Sequence, residues 1–265
     1  MSKIGTIRKV IPASAAYQDQ AQVALARALP NTAPGEVEFS HVVYTLRDED
    51  RGEPDASLPG LCMALTDVGL SLDSEAPPAD VLALLREADR RIEEFQRDGR
   101  VPGFVPSDFS RAYRVLRAVA ATSLAPGSLF CEWGSGFGVI SCLAAMLEFD
   151  AIGIEIDDDL VDAAQQLADD FELPVEFIRG SFLPAGCKVD AKERDGFAWL
   201  ATDERRPTQE RELEPSDFDV IFAYPWPDEE DATAAIFDRY ASKGAILITY
   251  HGGDEFRARR KTRRK

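Results

Sequence analysis

Apolar residues in the first strongly patterned segment of the chain recur at helical spacing. They stand at intervals of four and three along one stripe, formed by Val81, Leu85, Ala88, Ile92 and Phe95, while charged residues occupy the opposite face. A single apolar stripe is typical of a helix that packs on a core. We therefore predict a helix over residues 81–95. We expect it to pack on the following domain, and a helix contact in a homodimer is the alternative.

From residue 129 onward, short apolar runs alternate with helical patterns. The runs that predict strands lie at 129–131, 151–156, 175–182, 220–223 and 245–250, and helices are predicted at 139–147, 160–171, 232–240 and around 197–200. Strands that alternate with helices indicate a parallel sheet with right-handed crossovers. The fold class is therefore α/β, a Rossmann-like, doubly wound and mostly parallel sheet. Ligands of such sheets bind at the carboxyl ends of the strands.

The beginning of the chain has no such regularity. Residues 1–78 hold a possible helix at 18–29 and a possible strand at 37–46, with turn-forming residues around them. We interpret 1–78 as an N-terminal extension or accessory unit whose role the sequence does not reveal. The main domain then covers 79–256, and a basic C-terminal tail follows at 257–265.

Charge is distributed unevenly along the chain. The formal net charge is −17, yet the last nine residues carry seven Lys or Arg and no acid, so the rest has 23 basic against 47 acidic side chains. An acidic body repels nucleic acid, whose binding depends on neutralising phosphates, and a nucleic-acid partner is not expected. The basic end could contact phosphates or an acidic partner, but we expect a solvated terminus.

Cysteine, histidine and apolar content exclude further classes of protein. The four cysteines form no C-x-x-C pair and there are only two histidines, so neither a disulfide framework nor a zinc site is expected. No apolar run approaches the length of a membrane span, and none resembles a signal peptide. We expect a cytoplasmic protein with reduced thiols, without a membrane partner and without a metal.

The segment with the clearest chemistry is a glycine-rich turn. Gly134, Gly136 and Gly138 lie between a predicted strand and a predicted helix, and Glu155 ends the next predicted strand 21 residues after Gly134. Glycine permits positive φ and close approach of a ligand, and the helix start favours anionic groups. A dinucleotide fold has an acid at similar spacing, but its G-x-G-x-x-G fingerprint needs glycine where Val139 stands. A nicotinamide-dependent oxidoreductase is therefore disfavoured.

Three motifs in the same order resemble the class I S-adenosylmethionine-dependent methyltransferases. They are Glu132-Trp133-Gly134-Ser135-Gly136-Phe137-Gly138, Gly153-Ile154-Glu155-Ile156-Asp157 and Ile178-Arg179-Gly180-Ser181-Phe182, and the resemblance covers roughly residues 101–251. It implies S-adenosyl-L-methionine as the cofactor. Glycines 134, 136 and 138 would line its methionine and ribose, with Glu132, Ser135 and Ile156 beside them. Glu155 would hold the ribose hydroxyls, and Ser181 and Phe182 would border the adenine.

The same resemblance bears on both ends of the domain. Ser107 or Asp108 is predicted to cap a helix that runs through Tyr113. Similar methyltransferases place this segment over the methionine end of the cofactor, which makes Phe104 and Ser107 further candidates for contact. A full family member would add a helix and a final pair of strands after residue 250. We therefore expect a trimmed sheet, unless residues 255–260 supply an extra strand.

The methyl acceptor is expected beside the loop after the fourth predicted strand, where Tyr224 and Trp226 are the candidate catalytic residues. Prolines on both sides of Trp226 stiffen this loop, which suits a reaction that depends on alignment. The loop resembles the [Asp/Asn]-Pro-Pro-aromatic motif of amino-group methyltransferases, but Tyr224 replaces the acid or amide. That departure argues against methylation of nucleic-acid bases.

The acids at 228–231 could attract a basic acceptor such as a lysine side chain, or they could simply favour the start of the next helix. His251 could act as a base or have a structural role. We expect a methyltransferase that acts on an amine or hydroxyl of a small molecule or a protein lysine. The alternative is a non-catalytic, cofactor-binding regulatory or scaffold module.

Overall fold

The computed structural model describes residues 63–97, 104–184, 187, 213–226 and 229–263. The helices predicted at 18–29 and around 197–200, and the strand predicted at 37–46, lie outside these ranges. None of the helices within them is long and apolar enough to cross a membrane.

The described ranges form one sheet with helices on both faces. In chain order the elements are β1 (Met63–Asp67), α1 (Ala79–Arg97), α2 (Phe109–Ala121), β2 (Leu129–Trp133), α3 (Val139–Met146), β3 (Asp150–Glu155), α4 (Asp158–Asp170), β4 (Glu176–Arg179), β5 (Val220–Ala223), α5 (Glu230–Tyr240), β6 (Ile246–Tyr250) and β7 (Phe256–Arg263). The order across the seven-stranded sheet is β1-β7-β6-β5-β2-β3-β4. Strands β2 to β6 run parallel, whereas β7 is antiparallel to both of its neighbours.

The chain reverses its direction of travel across the sheet at β2. From β2 it proceeds outward through β3 and β4, and it then returns to place β5 and β6 on the other side of β2. Cys131 at the centre of β2 is accordingly paired with Ile152 of β3 and with Ile221 of β5. A parallel sheet opens a crevice at the carboxyl ends of its strands where the order reverses, and ligands bind there. The predicted α/β, Rossmann-like class is confirmed, and its crevice lies between the ends of β2 and β5.

Successive side chains of the parallel strands lie on opposite faces of the sheet, where they belong to two hydrophobic clusters. Phe130 and Phe222 belong to the larger one, which also contains apolar side chains of α1 to α4. Cys131 and Ile221 belong to the other, which α5 covers. All five predicted stripe residues of α1 are buried within the larger cluster. The stripe therefore packs on the chain's own core, and homodimer formation remains a prediction that needs another surface.

Side-chain caps fix where two of the helices begin. Asp108 precedes α2 and its Oδ1 accepts a hydrogen bond from the backbone N–H of Arg111 at 2.9 Å. Asp157 does the same for α4 through the N–H of Leu160 at 3.2 Å. Such caps satisfy helix donors that otherwise have no partner. Asp108, one of the two predicted caps, is therefore the residue that starts α2.

The expectation of a solvated basic tail was wrong, and the alternative to a trimmed sheet, an extra strand from residues 255–260, is confirmed. Residues 256–263 form β7, which pairs with β6 on one side and with β1 on the other. The buried positions of β7 are Ala258 and Lys261, and the Nζ of Lys261 donates to the carbonyl of Ala241, at the end of α5, at 2.7 Å. The main sheet therefore extends beyond residue 256. It also includes β1, which comes from the segment that we interpreted as a separate extension.

Candidate functional site

The glycine-rich turn joins the end of β2 to the start of α3, as predicted. Gly134, Gly136 and Gly138 have φ values of 70°, 52° and 69°. Side chains rarely adopt this left-handed region, so each position favours glycine. The N–H groups of Gly134 and Ser135 both donate to the carbonyl of Ile154, at 2.9 Å and 3.0 Å, which ties the turn to β3.

The three glycines differ in what they face. A Cβ added to Gly134 would meet no atom of the described residues within 4 Å, whereas one added to Gly136 would lie 2.5 Å from Cε2 of Phe104. At Gly138 it would overlap the ring of Phe177. The turn therefore leaves open space for a ligand at Gly134. Phe104 covers Gly136, and Gly138 allows the turn to pack on β4.

Glu155 lies at the carboxyl end of β3 and is buried. Its Oε2 accepts a hydrogen bond from the N–H of Gly136 at 2.8 Å, and its Oε1 accepts from the N–H groups of Ile156 at 2.7 Å and Asp157 at 3.1 Å. Burial raises the pKa of Glu155, although these three donors oppose that effect. A carboxylate offers about four acceptor positions, so one position on Oε2 remains for a further donor.

The carboxylate of Glu132 has partners within the chain, and its contact with a cofactor stays a prediction. Its Oε2 accepts hydrogen bonds from the N–H of Ser141 at 2.9 Å and from its hydroxyl at 2.7 Å, in the first turn of α3. Burial raises the pKa of Glu132 to about 8 against the ordinary value of 4.5, and the nearby charge of Glu155 adds to the shift. These contacts favour a structural role, holding the turn against α3, over direct contact with a cofactor.

Some of the remaining residues predicted around the cofactor already contact other groups of the chain. Ser135 is only 5% exposed, and its Oγ has no hydrogen-bond partner in the ranges that the structure describes. The Oγ of Ser181 accepts a hydrogen bond from the N–H of Leu183 at 3.2 Å. Phe182 stacks on Trp133, with ring centroids 4.9 Å apart and planes 7° apart. Ser135 is therefore a buried polar group in need of a donor or acceptor, while one face of Phe182 is already covered.

The two candidate catalytic residues follow β5. Tyr224 is half-buried against Tyr250 of β6, with ring centroids 4.6 Å apart, and burial raises its pKa. Trp226 is also half-buried, and its backbone N–H lies 3.4 Å from Oε2 of Glu229. The structure thus adds an aromatic partner, Tyr250, that the sequence analysis missed. The apolar run ending at residue 250 signalled a strand but not which side chain would meet Tyr224.

The acids and the histidine near this loop have local structural partners. Glu230 and Asp231 lie in the first turn of α5, where negative charge is favoured. His251 is 7% exposed, and its Nε2 lies 2.8 Å from the hydroxyl of the fully buried Thr249. Its Nδ1 lies 3.9 Å from Oε1 of Glu230. These contacts favour the structural alternative for His251.

Comparisons with solved structures return methyltransferases. One is an RNA methyltransferase from Salinibacter ruber in complex with S-adenosyl-L-homocysteine, at 19% identity over 61% of this chain and 95% of that one, with a TM-score of 0.41. A methyltransferase from Geobacter sulfurreducens is 18% identical over 72% and 93%, with a TM-score of 0.45. An O-methyltransferase from Streptomyces achromogenes in complex with its cofactor is 17% identical over 66% and 67%, with a TM-score of 0.40.

No protein-family model and no curated protein sequence matches the chain. The solved structures described above share 17–19% sequence identity with the chain. At identities this low, the chemistry of this chain has to be argued from its own site.

Proposed function

We propose that this chain binds S-adenosyl-L-methionine at the turn between β2 and α3 and transfers its methyl group to an amine or hydroxyl acceptor. The observation that carries the proposal is the open face of Gly134 among the described residues, on a turn whose φ of 70° favours glycine. Ser135 beside it has a buried hydroxyl without a partner in the described part of the chain, and such groups are rare in native proteins. Both features fit a polar ligand.

Glu155 provides the second half of the fit. Its carboxylate lies at the end of β3, is fixed by three backbone N–H groups and keeps one acceptor position. A ribose hydroxyl is a donor of the required kind, and in related folds an acid at this strand end receives it. The residues that would hold the cofactor are therefore Gly134, Ser135 and Glu155.

The chain's own contribution to the reaction would be alignment. Bound S-adenosylmethionine would supply a sulfonium-activated methyl group, whose carbon forms a bond to the acceptor's lone pair while the carbon–sulfur pair stays on sulfur and the acceptor's proton passes to water. The loop of Tyr224, Pro225 and Trp226 would form the wall against which the acceptor is held. Alignment of this kind can account for a large part of a rate enhancement.

A non-catalytic cofactor-binding module remains the second candidate. It was based on Tyr224 in place of an acid or amide, and on the sheet being trimmed. Because β7 and β1 complete a seven-stranded sheet, only the first argument remains. Release of S-adenosylhomocysteine in the presence of an amine or hydroxyl acceptor would exclude this candidate.

Calorimetric titration with S-adenosylhomocysteine tests the binding half of the proposal. Glu155→Gln removes the charge and places an amide against the backbone donors. We expect it to weaken binding about tenfold or more, since a hydrogen bond to a charged group contributes roughly 1.5–3 kcal/mol. Glu172→Gln is the matched control, because Glu172 is exposed at the far end of α4 and should leave binding unchanged. Equal affinities of the two variants would contradict this assignment of Glu155.

A further inference from the structure

A cavity of about 430 Å³ lies beside the site, between α1, the start of α2 and the turn after β6. Leu85 and Asp89 contribute to it from α1, residues 106–110 from the start of α2, and Tyr250 and Gly253 from the end of β6 and the turn that follows. Its volume is within the range of small-molecule sites, which are usually clefts of about 300–1,000 Å³. No motif in the sequence pointed to it, because its walls come from three distant segments.

One ring contact and one short stretch of chain connect this cavity to the residues already described. Tyr250 in its wall packs on Tyr224, which follows β5, at 4.6 Å between ring centroids. On the other side, Ser107 and Asp108 lie a few residues after Phe104, which covers Gly136 of the glycine turn. The cavity therefore borders both the candidate acceptor loop and the segment that covers the candidate cofactor turn.

The cavity wall carries negative charge. Asp89 and Asp108 are the charged residues of this lining, and none of the described lysines and arginines is part of it. The nearest basic residue along α2, Arg111, is engaged with Asp254 at 2.8 Å. The start of α2 contributes about half a positive charge, and Asp108 already caps it. Two carboxylates outweigh that contribution, so the net field favours a cation.

The electrostatic surroundings of Asp89 point in the same direction. Partial burial and the neighbouring charge of Glu93 raise the pKa of Asp89, so a cation brought close to this carboxylate would relieve an unfavourable interaction. Tyr250 lies in the wall but offers no open ring face, because it is 2% exposed and its ring packs on Tyr224 and on Phe256, at 4.6 Å between centroids in each case. The two carboxylates are therefore the groups of the wall that suit an alkylammonium ion.

We propose that this cavity is the acceptor site and that it takes a small organic amine. Asp89 and Asp108 bind the amine as an ammonium ion. The ion would give one proton to water, and the nitrogen lone pair would then form the new nitrogen–carbon bond while the carbon–sulfur bond of the methyl donor breaks and its electron pair stays on sulfur. This inference rests on the proposed function, because the amine is an acceptor only if the glycine turn binds the methyl donor.

The experiment uses three probes with the same phenylethyl-type skeleton and different charge. 2-Phenylethylammonium, 2-phenylethanol and phenylacetate are titrated into the full chain by NMR or calorimetry, in the presence of S-adenosylhomocysteine. We expect the ammonium ion to bind at least tenfold more tightly than the alcohol, and phenylacetate not to bind. Asp89→Asn should remove most of that preference. Glu172→Gln, an exposed change of the same charge outside the cavity lining, should keep it.

Each other outcome identifies which claim fails. If S-adenosylhomocysteine binds but the ammonium ion does not, or binds no better than the alcohol, the acceptor inference is wrong and the proposed function stands. If Asp89→Asn weakens S-adenosylhomocysteine instead, the cavity holds part of the cofactor and the inference is again wrong. If S-adenosylhomocysteine does not bind to the unmodified chain, the proposed function and this inference fail together.

Discussion

The buried carboxyl of Glu132 should make the stability of the protein fall as the pH rises. In the folded state its pKa is about 8, against 4.5 for an ordinary glutamate, because burial disfavours the charged form. A raised folded-state pKa contributes stability that is fully present below pH 4.5 and is lost as the pH rises through about 8. Each pH unit inside that window costs about 1.4 kcal/mol, so the whole effect is about 5 kcal/mol.

Glu132→Gln isolates this contribution. Glutamine does not titrate, and its amide oxygen can still accept the hydrogen bonds that Ser141 donates. Urea unfolding at pH 5, 7 and 9, followed by tryptophan fluorescence, gives the free energy of unfolding of both proteins. Other titrating groups act on both proteins alike, so the difference between the two curves reports Glu132.

We expect the original chain to lose several kcal/mol more than the variant between pH 5 and pH 9. The variant should be the more stable protein at pH 9. Parallel pH curves, with or without a constant offset between the two proteins, would refute the reasoning, because they would mean that the pKa of Glu132 in the folded state is not raised into this pH range.

Three further results follow from the packing of the turn and the sheet. Gly138→Ala should lower stability by more than about 2 kcal/mol, since its Cβ would overlap Phe177. Gly134→Ala adds only the strain of the left-handed conformation, roughly 1–2 kcal/mol, and should chiefly impair S-adenosylhomocysteine binding. Thermal unfolding measures the stability of both variants, and calorimetry measures their binding. Ending the chain after Gly253 removes β7 and should abolish cooperative unfolding in urea, and a truncated chain as stable as the full one would contradict its place in the sheet. Asp108→Ala should lower stability by about 1 kcal/mol through loss of the helix cap, with Asp108→Asn retaining the cap in the same urea assay.

The sequence was informative where local pattern and structure coincide. The stripe of α1, the βα alternation and the glycine turn are local signals, and each appears in the structure within a few residues of its predicted position. The requirement for glycine at 134, 136 and 138 could also be inferred, because positive φ is a property of the backbone alone. The atoms that a ligand would meet at each glycine could not be inferred, since Phe104 and Phe177 approach from other segments.

Strand β7 shows why the C-terminal prediction failed. Residues 256–263 read as a charged tail, because five of the eight are Arg or Lys. Such side chains can bury their aliphatic stems while their charged ends reach polar partners. The Nζ of Lys261 does so at the carbonyl of Ala241, and the partner strand β1 lies nearly 200 residues earlier in the chain. Neither contact leaves a local hydrophobic pattern.

The roles of Glu132 and Tyr250 depended on tertiary contacts in the same way. The motif around Glu132 predicted cofactor contact, whereas its carboxylate binds Ser141, nine residues later on α3. Tyr250 was predicted only as the end of a strand. Its contact with Tyr224 and its place in the cavity wall arise from the pairing of β5 with β6.

The central claim is that the glycine turn binds S-adenosyl-L-methionine and not a dinucleotide. Parallel calorimetric titrations of the unmodified chain with S-adenosylhomocysteine and with NAD⁺ test it most directly. The account predicts saturable one-to-one binding of S-adenosylhomocysteine and no heat of binding for NAD⁺. Binding of NAD⁺ without S-adenosylhomocysteine, or of neither compound, would contradict it.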